Sequence, residues 1–295
     1  MNTNLISDMA TGSVVSQDGT TIGYLRVGQG PAVILLHGSM QSAHSHSQLA
    51  LALADSFTVY LPDRRGRGMS GAYPAGYGIR SEVADLEAVI AASGAEMVFG
   101  VSASGLVVLE AARTNPAISK VAVYEPALLP ADTKHTDWLP RFDAEMADGK
   151  TAAAMITAMF GLELAPPAMK LMPRPLLASL TNMIMKKEDA AAPADAVTMR
   201  SLAPTLHYEG TLLAEMAGTI DTFGDVKADV LLLGGSKGLK FLKPALDGLA
   251  RTLPRSRRVE LAGLDHGASA DASKANPGGK PEVVAAELRS FLAEK

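Results

Sequence analysis

Short apolar runs punctuate the first half of the chain. Ala32-Val33-Ile34-Leu35-Leu36, Phe57 to Leu61 and the stretch beginning at Met97 are too short for helices, and a continuous apolar run is what a parallel strand buried on both faces requires. Between them lie segments of different period. Residues around Gln48 to Ala54 read as helical, and Ser81 to Ala92 has the acidic start and apolar spacing of an amphipathic helix. Ahead of the first run, Gly12 to Ser16 and Thr21 to Arg26 flank the Gln17-Asp18-Gly19 turn signal, which predicts a hairpin of two edge strands. After Lys120-Val121-Ala122-Val123-Tyr124, the same alternation resumes with Ala228 to Leu233, a helix over Phe241 to Leu253, a strand at Arg258 to Leu261 and a closing helix from Glu282 to Ala293. Strand alternating with helix implies an α/β fold, a mostly parallel doubly wound sheet.

From about Leu129 to Thr222 the strand signal disappears. This stretch holds nine of the fourteen methionines, together with Trp138, Phe142 and Phe160, and prolines such as Pro166, Pro167, Pro173, Pro175, Pro193 and Pro204 break it into helices. The expected organisation is a core made of residues 1–128 and 223–295, with a helical cap inserted over 129–222. Methionine is flexible and polarisable, so a cluster of it suits an irregular apolar ligand. Met40, Trp138, Met155, Met159, Phe160 and Met183 are the candidate pocket residues, although each methionine taken singly is equally well explained as filling a helical core.

Composition narrows the partners. With 295 residues, 47% of them hydrophobic, the chain is long enough for one large domain with an insert. Its 27 basic and 31 acidic side chains nearly cancel and form no long run of one sign, so neither nucleic acid nor a membrane surface is the expected partner. A small hydrophobic molecule is, and a homodimer stays open. The absence of cysteine excludes disulfides and thiolate metal sites. Met1 to Ser13 lacks the basic start and apolar core of a secretion signal, which leads to the expectation of a soluble, cytoplasmic protein.

The chemistry centres on Met97-Val98-Phe99-Gly100-Val101-Ser102-Ala103-Ser104-Gly105, a strand, a turn of small residues and the start of a helix. A serine projecting from such a turn needs small neighbours two positions to either side, and Gly100 and Ser104 supply them. Together with His37-Gly38 and the Asp63-x-Arg65-Gly66-x-Gly68-x-Ser70 loop, this order and spacing resembles the α/β-hydrolase family, clearly over Gly30 to Pro126 and Ala228 to Leu292. The family commonly has glycine where Ser104 stands. The resemblance implies Ser102 as nucleophile, His266 after the last strand as its base, and an oxyanion hole from the backbone N–H groups of Ala103 and Ser39, with Met40 beside it. His37, Asp63 and Arg65 are expected to brace loops. No cofactor or metal is implied.

The acid departs from the commonest pattern. Gly234-Gly235-Ser236-Lys237-Gly238 has no carboxylate where the family usually carries one, whereas Glu125 ends the strand after the nucleophile helix. Tyr124-Glu125-Pro126 is similar to the turn in zearalenone lactonases and haloalkane dehalogenases, which can place their acid there. Glu125 is therefore the expected third member and Asp265 its rival. A serine rather than an aspartate at the elbow points to acyl transfer: a serine esterase or lactonase acting on a hydrophobic carboxylic ester. A hydrolase of carbon–carbon bonds, a haloperoxidase-like enzyme and a non-catalytic ligand receptor are the alternatives.

Overall fold

The computed structural model describes residues 9–193 and 196–294; most of the polar N-terminal stretch, through Asp8, lies outside them. Eight strands form one sheet: β1 (Ala10–Val15), β2 (Thr21–Val27), β3 (Ala32–Leu36), β4 (Thr58–Pro62), β5 (Met97–Val101), β6 (Lys120–Tyr124), β7 (Asp229–Gly235) and β8 (Ser256–Leu261), in the spatial order β1-β2-β4-β3-β5-β6-β7-β8. The β1/β2 and β2/β4 pairs are antiparallel and the remaining five are parallel. β2 is bonded on both sides, so the hairpin contributes one edge strand, not the two expected. Parallel neighbours require crossovers, and the helices between the strands provide them.

The apolar runs divide their side chains between two cores. On β3, Val33 and Leu35 face one cluster while Ile34 and Leu36 face the other, as the two-residue period of a strand dictates. One layer holds α1 (Ser47–Leu53) and α10 (Pro281–Ala293), through Leu49, Leu53, Val284 and Leu288. The opposite layer holds α2 (Ile79–Ser93), α3 (Ala103–Thr114) and α9 (Lys243–Thr252), through Leu86, Leu106, Leu109 and Leu249. The sheet is thus covered on both faces.

Between β6 and β7 the chain passes through α4 (Leu139–Ala147), α5 (Thr151–Gly161), α6 (Arg174–Ala191), the single turn α7 (Met199–Leu202) and α8 (Thr205–Met216). Trp138, Phe142, Ala154, Ala158 and Leu206 give this segment a small apolar centre of its own. α8 nevertheless packs on the main core, because Leu212, Leu213 and Met216 join the cluster that includes Leu106. Among the described residues no helix is long and apolar enough to cross a membrane.

Two tests follow from this packing. A Cβ on Gly100 would stand 2.5 Å from Ser104 O and 2.9 Å from Gly105 N, against the backbone of α3 where nothing flexible can give way. Gly100→Ala is expected to cost about 1–3 kcal/mol, the range for overpacking, read from the urea midpoint; an unshifted midpoint would show that α3 is not seated so tightly. His46 is buried edge-on against Phe99, with Nε2 3.3 Å from Ser269 Oγ, and burial pulls its pKa down to about 4. The unfolded chain binds that proton at about pH 6.5, so His46 adds stability above that pH that is lost as pH falls from about 6.5 to about 4. Denaturation midpoints measured across this window are expected to fall, and His46→Asn to flatten the fall.

Candidate active site

Four described residues other than glycine adopt positive φ: Met40 at 55°, Ser102 at 55°, Glu125 at 45° and Glu163 at 55°. Such backbone is costly for residues with a Cβ and persists only where the surroundings enforce it. Three of the four converge on one place. β5 and β6 are parallel neighbours, and each passes directly into a left-handed residue, Ser102 and Glu125. The two are tied together: Ser102 N donates to Tyr124 O (3.0 Å), and Ala127 N donates to Ser102 O (3.0 Å).

Ser104 shows why the expected glycine is dispensable. Its hydroxyl accepts from Val101 N (2.8 Å) and lies 2.8 Å from Leu36 O and 2.9 Å from Val101 O, one of which takes its proton. A side chain is accommodated because it satisfies the ends of β3 and β5. The small residue the geometry does demand is Gly105, whose Cβ would lie 2.8 Å from the Pro126 ring.

Glu125 is buried, and its carboxylate is surrounded by donors from the turn after β7. Oε1 accepts from Gly235 N (2.9 Å), and Oε2 accepts from Leu239 N (3.3 Å) and lies 2.7 Å from His266 Nδ1. The turn without a carboxylate is therefore a receptor for one. A Cβ on Gly238 would stand 1.6 Å from Glu125 Oε1, so the glycine leaves the room that the glutamate fills. Asp265 is turned away, accepting from Gly267 N (2.9 Å), while Tyr124 Oη donates to Asp265 O (2.7 Å) and fixes the loop that carries His266. His266 Nε2 makes no hydrogen bond among the described residues.

The loop after β3 is held from beneath. Asp63 accepts from Ala43 N (2.7 Å) and Met69 N (3.0 Å), and Gly68 leaves space for that carboxylate, since a Cβ there would meet Oδ2 at 2.1 Å. His37 is buried, and Arg64 N donates to its Nε2 (3.1 Å), so the proton is on Nδ1, which donates to Gly38 O (3.0 Å). Burial, with the charges of Arg67 and Arg64 beside it, holds His37 far below the usual histidine range and keeps it neutral.

Sequence reasoning missed a buried charge network below this loop. Arg64 donates to both oxygens of Glu82 (2.9 Å each) and to Glu209 Oε1 (2.8 Å); Arg67 also pairs with Glu209 and lies 3.5 Å from Gly38 O. Burial pushes the Glu209 carboxyl up, but the two guanidinium groups outweigh it and hold the group below its ordinary value. Glu209 comes from α8, 145 positions beyond Arg64, and nothing in the helical spacing of α8 marks it as different from a solvent-facing glutamate. Arg65 is paired separately, with both oxygens of Asp85 (2.5 and 2.6 Å) and with Asp18.

A cavity of about 170 Å³ is lined by Ser39, Met40, Ser102, Trp138, Phe241 and His266, with Glu209 in its wall. It adjoins a larger one of about 580 Å³ between the same loop, α5 and α6, and Met40, Leu162, Leu164 and Leu206 belong to both. Of the candidate pocket residues, Met155 and Met159 line the larger cavity. Two do not belong. Phe160 lies against the Arg174 guanidinium, 5.8 Å from its ring centre, and lines neither cavity. Met183 is 61% exposed and lines neither cavity, whereas Thr181 and Ile184 of the same helix line the larger one. Ala103 is fully buried at the start of α3, where the first amides of a helix have no helical acceptor. Among the described residues no group of three or more His, Cys, Asp or Glu side chains is placed to hold a metal ion.

A strand ending in a strained serine, a histidine hydrogen-bonded to a carboxylate and a doubly wound sheet form the frame of one large class of proteins. The chain belongs to the alpha/beta hydrolase family, whose model matches residues 33–285. An alpha/beta hydrolase from Sphaerobacter thermophilus is 28% identical, with a TM-score of 0.75 over 96% of this chain and 100% of that one. An esterase from Rhodococcus sp. ECU1013 (20% identity, TM-score 0.65, 97% and 99% coverage) and the enol-lactonase from Burkholderia xenovorans LB400 (19%, 0.66, 96% and 100%) share the fold. No curated protein matches the chain by sequence.

The network makes its own prediction. Glu209→Ala strands two buried guanidinium groups with one carboxylate, and breaking a buried ion pair from one side costs about 3–5 kcal/mol. Glu209→Gln, which keeps an acceptor at the same place, is expected to cost less. Urea unfolding of both variants checks this, and a loss below about 1 kcal/mol for the alanine variant would mean that the network does not tie α8 to the core.

Proposed function

We propose that this protein is a serine hydrolase that cleaves hydrophobic carboxylic esters or lactones through an acyl-enzyme on Ser102. The observation that carries this reading is the 2.7 Å contact between His266 Nδ1 and Glu125 Oε2, with the other ring nitrogen unpaired and Ser102 in the wall of the same cavity. Glu125 fixes the tautomer in which Nδ1 carries the proton, leaving Nε2 as the base. His266 then takes the Ser102 proton as Oγ attacks the carbonyl carbon, and returns it to the departing alcohol. Water repeats the sequence to release the acid.

The oxyanion of each tetrahedral intermediate is received by backbone N–H groups. Ala103 supplies one, at the head of α3. Next to Ser39, Gly38 O is bonded by His37 Nδ1 and faces Arg67, and all described peptides are trans. In a planar trans peptide the N–H points opposite to the C=O, so the Ser39 N–H turns away from the buried arginine, and Ser39 lines the cavity. Donors of this kind are worth about 3–4 kcal/mol in barrier height. The apolar walls, with Trp138, Phe241 and the methionines, favour a hydrophobic substrate over a charged one. The esterase and enol-lactonase among the structural neighbours are consistent with this chemistry.

Ser102→Ala is expected to abolish hydrolysis of p-nitrophenyl esters while leaving the melting temperature within a few degrees, since it removes one oxygen and no packing volume. Glu125→Gln is expected to lower kcat by about 10⁴, and Asp265→Asn by less than tenfold. Hydrolysis retained by Ser102→Ala would overturn Ser102 as the nucleophile, absence of hydrolysis by wild type would favour the ligand-receptor reading, and a dead Asp265→Asn beside an active Glu125→Gln would move the acid to Asp265.

A further inference from the structure

Ser102, Glu125 and His266 do not line the larger of the two cavities, and its walls have a distinct chemistry. Five methionines line it, Met40, Met155, Met159, Met169 and Met199, with leucine, isoleucine, valine and alanine, and not one aromatic side chain among the described residues. Its polar side chains are few: Ser45 Oγ accepts from Ser42 N (3.1 Å), Glu188, the one charged residue among the described lining residues, accepts from Met199 N (3.0 Å), and only the hydroxyls of Ser42 and Thr181 are added to these. What remains is a wall of flexible alkyl and thioether groups, which conforms to a saturated chain but offers no flat face for an aromatic ring to stack on. The smaller cavity differs, with Trp138 and Phe241 in its lining.

The two cavities also differ in their relation to the histidine. His266 must stand beside the leaving alcohol to protonate it, and His266, Leu239, Phe241 and Gly267 line the small cavity but not the larger one. The larger cavity shares Met40, Leu162, Leu164 and Leu206 with the small one, and Met40 follows the candidate oxyanion donor Ser39 in the chain. The acyl substituent is the group that extends away from the histidine.

From this we infer that the methionine-lined cavity is the acyl-chain subsite, and that the preferred substrates are esters of saturated aliphatic acids, the alcohol leaving past Phe241. The inference rests on the serine-hydrolase reading above. In the acylation step the Ser102 Oγ–acyl bond forms, the bond from the acyl carbon to the alcohol oxygen breaks, and the Ser102 proton passes through His266 to that oxygen. The chain stays in the methionine cavity throughout.

The test compares two ester series on wild type: p-nitrophenyl esters from acetate to decanoate, and acetates of alcohols from ethanol to decanol. Burial of a methylene is worth about a fourfold change in equilibrium, so kcat/KM is expected to climb several-fold per methylene in the acyl series and to stay nearly flat in the alcohol series. Thr181 lies half-buried on the wall of the cavity contributed by α6, so Thr181→Trp fills the space from a position that tolerates bulk. It is expected to lower the decanoate-to-acetate ratio of kcat/KM at least tenfold; Met159→Trp serves if that variant does not fold. A slope on the alcohol side, or no slope in either series while Ser102-dependent cleavage of acetates persists, overturns the inference and leaves the hydrolase reading standing. If no ester is cleaved, the hydrolase reading fails and calorimetry decides the cavity alone. Decanoate binding to Ser102→Ala that is lost on adding Thr181→Trp upholds it, and absence of binding overturns it.

Discussion

Two neighbouring parallel strands that each end in a left-handed residue, stitched to one another by backbone hydrogen bonds, set the position of everything at the site. Ser102 and Glu125 are both held in conformations that L-residues resist, at a cost of order 1–3 kcal/mol each. The bonds from Ser102 N to Tyr124 O and from Ala127 N to Ser102 O join the two bends, so neither relaxes without pulling on the other. The sheet supplies the rigidity. Gly105 lets Pro126 seat against α3, and Ser104 closes the ends of β3 and β5 with its hydroxyl. Strain at the reacting residues is thus offset by packing one turn away from them.

The frame was legible in the sequence because its signals are local. A five-residue apolar run bounded by turn residues says parallel strand, and β3, β4, β5, β6 and β7 follow such runs within one or two residues. The bends at Ser102 and Glu125 and the small residue at Gly100 stand out for the same reason, at or beside the end of a strand, whereas the need for Gly105 did not, because it arises from contact with Pro126. What was not legible depends on contacts between distant segments. Glu209 meets Arg64 and Arg67 only once α8 lies across the loop after β4, and no spacing within the helix announces it. Met183 and Phe160 line neither cavity because an apolar residue in a helix declares its kind but not its direction; a shift of one or two positions along α6 separates Met183 from Thr181 and Ile184, which line the larger cavity.

The charge network gives the inserted helices a second attachment. Leu212, Leu213 and Met216 bury α8 against the core non-directionally, whereas Glu209 bonded to two arginines fixes where along the loop α8 must sit. Those arginines also touch the loop that carries Gly38 and Ser39, through Arg64 N to His37 and Arg67 beside Gly38 O. The roof of the cavity and its floor are therefore positioned from one set of charges.

The contact between Glu125 and Gly238 has an evolutionary implication. With the glutamate in place no side chain fits at position 238, since its first carbon would coincide with a carboxylate oxygen at 1.6 Å. A side chain at 238 would therefore have to displace the carboxylate that bonds His266, so the glycine and the glutamate are free to change only together.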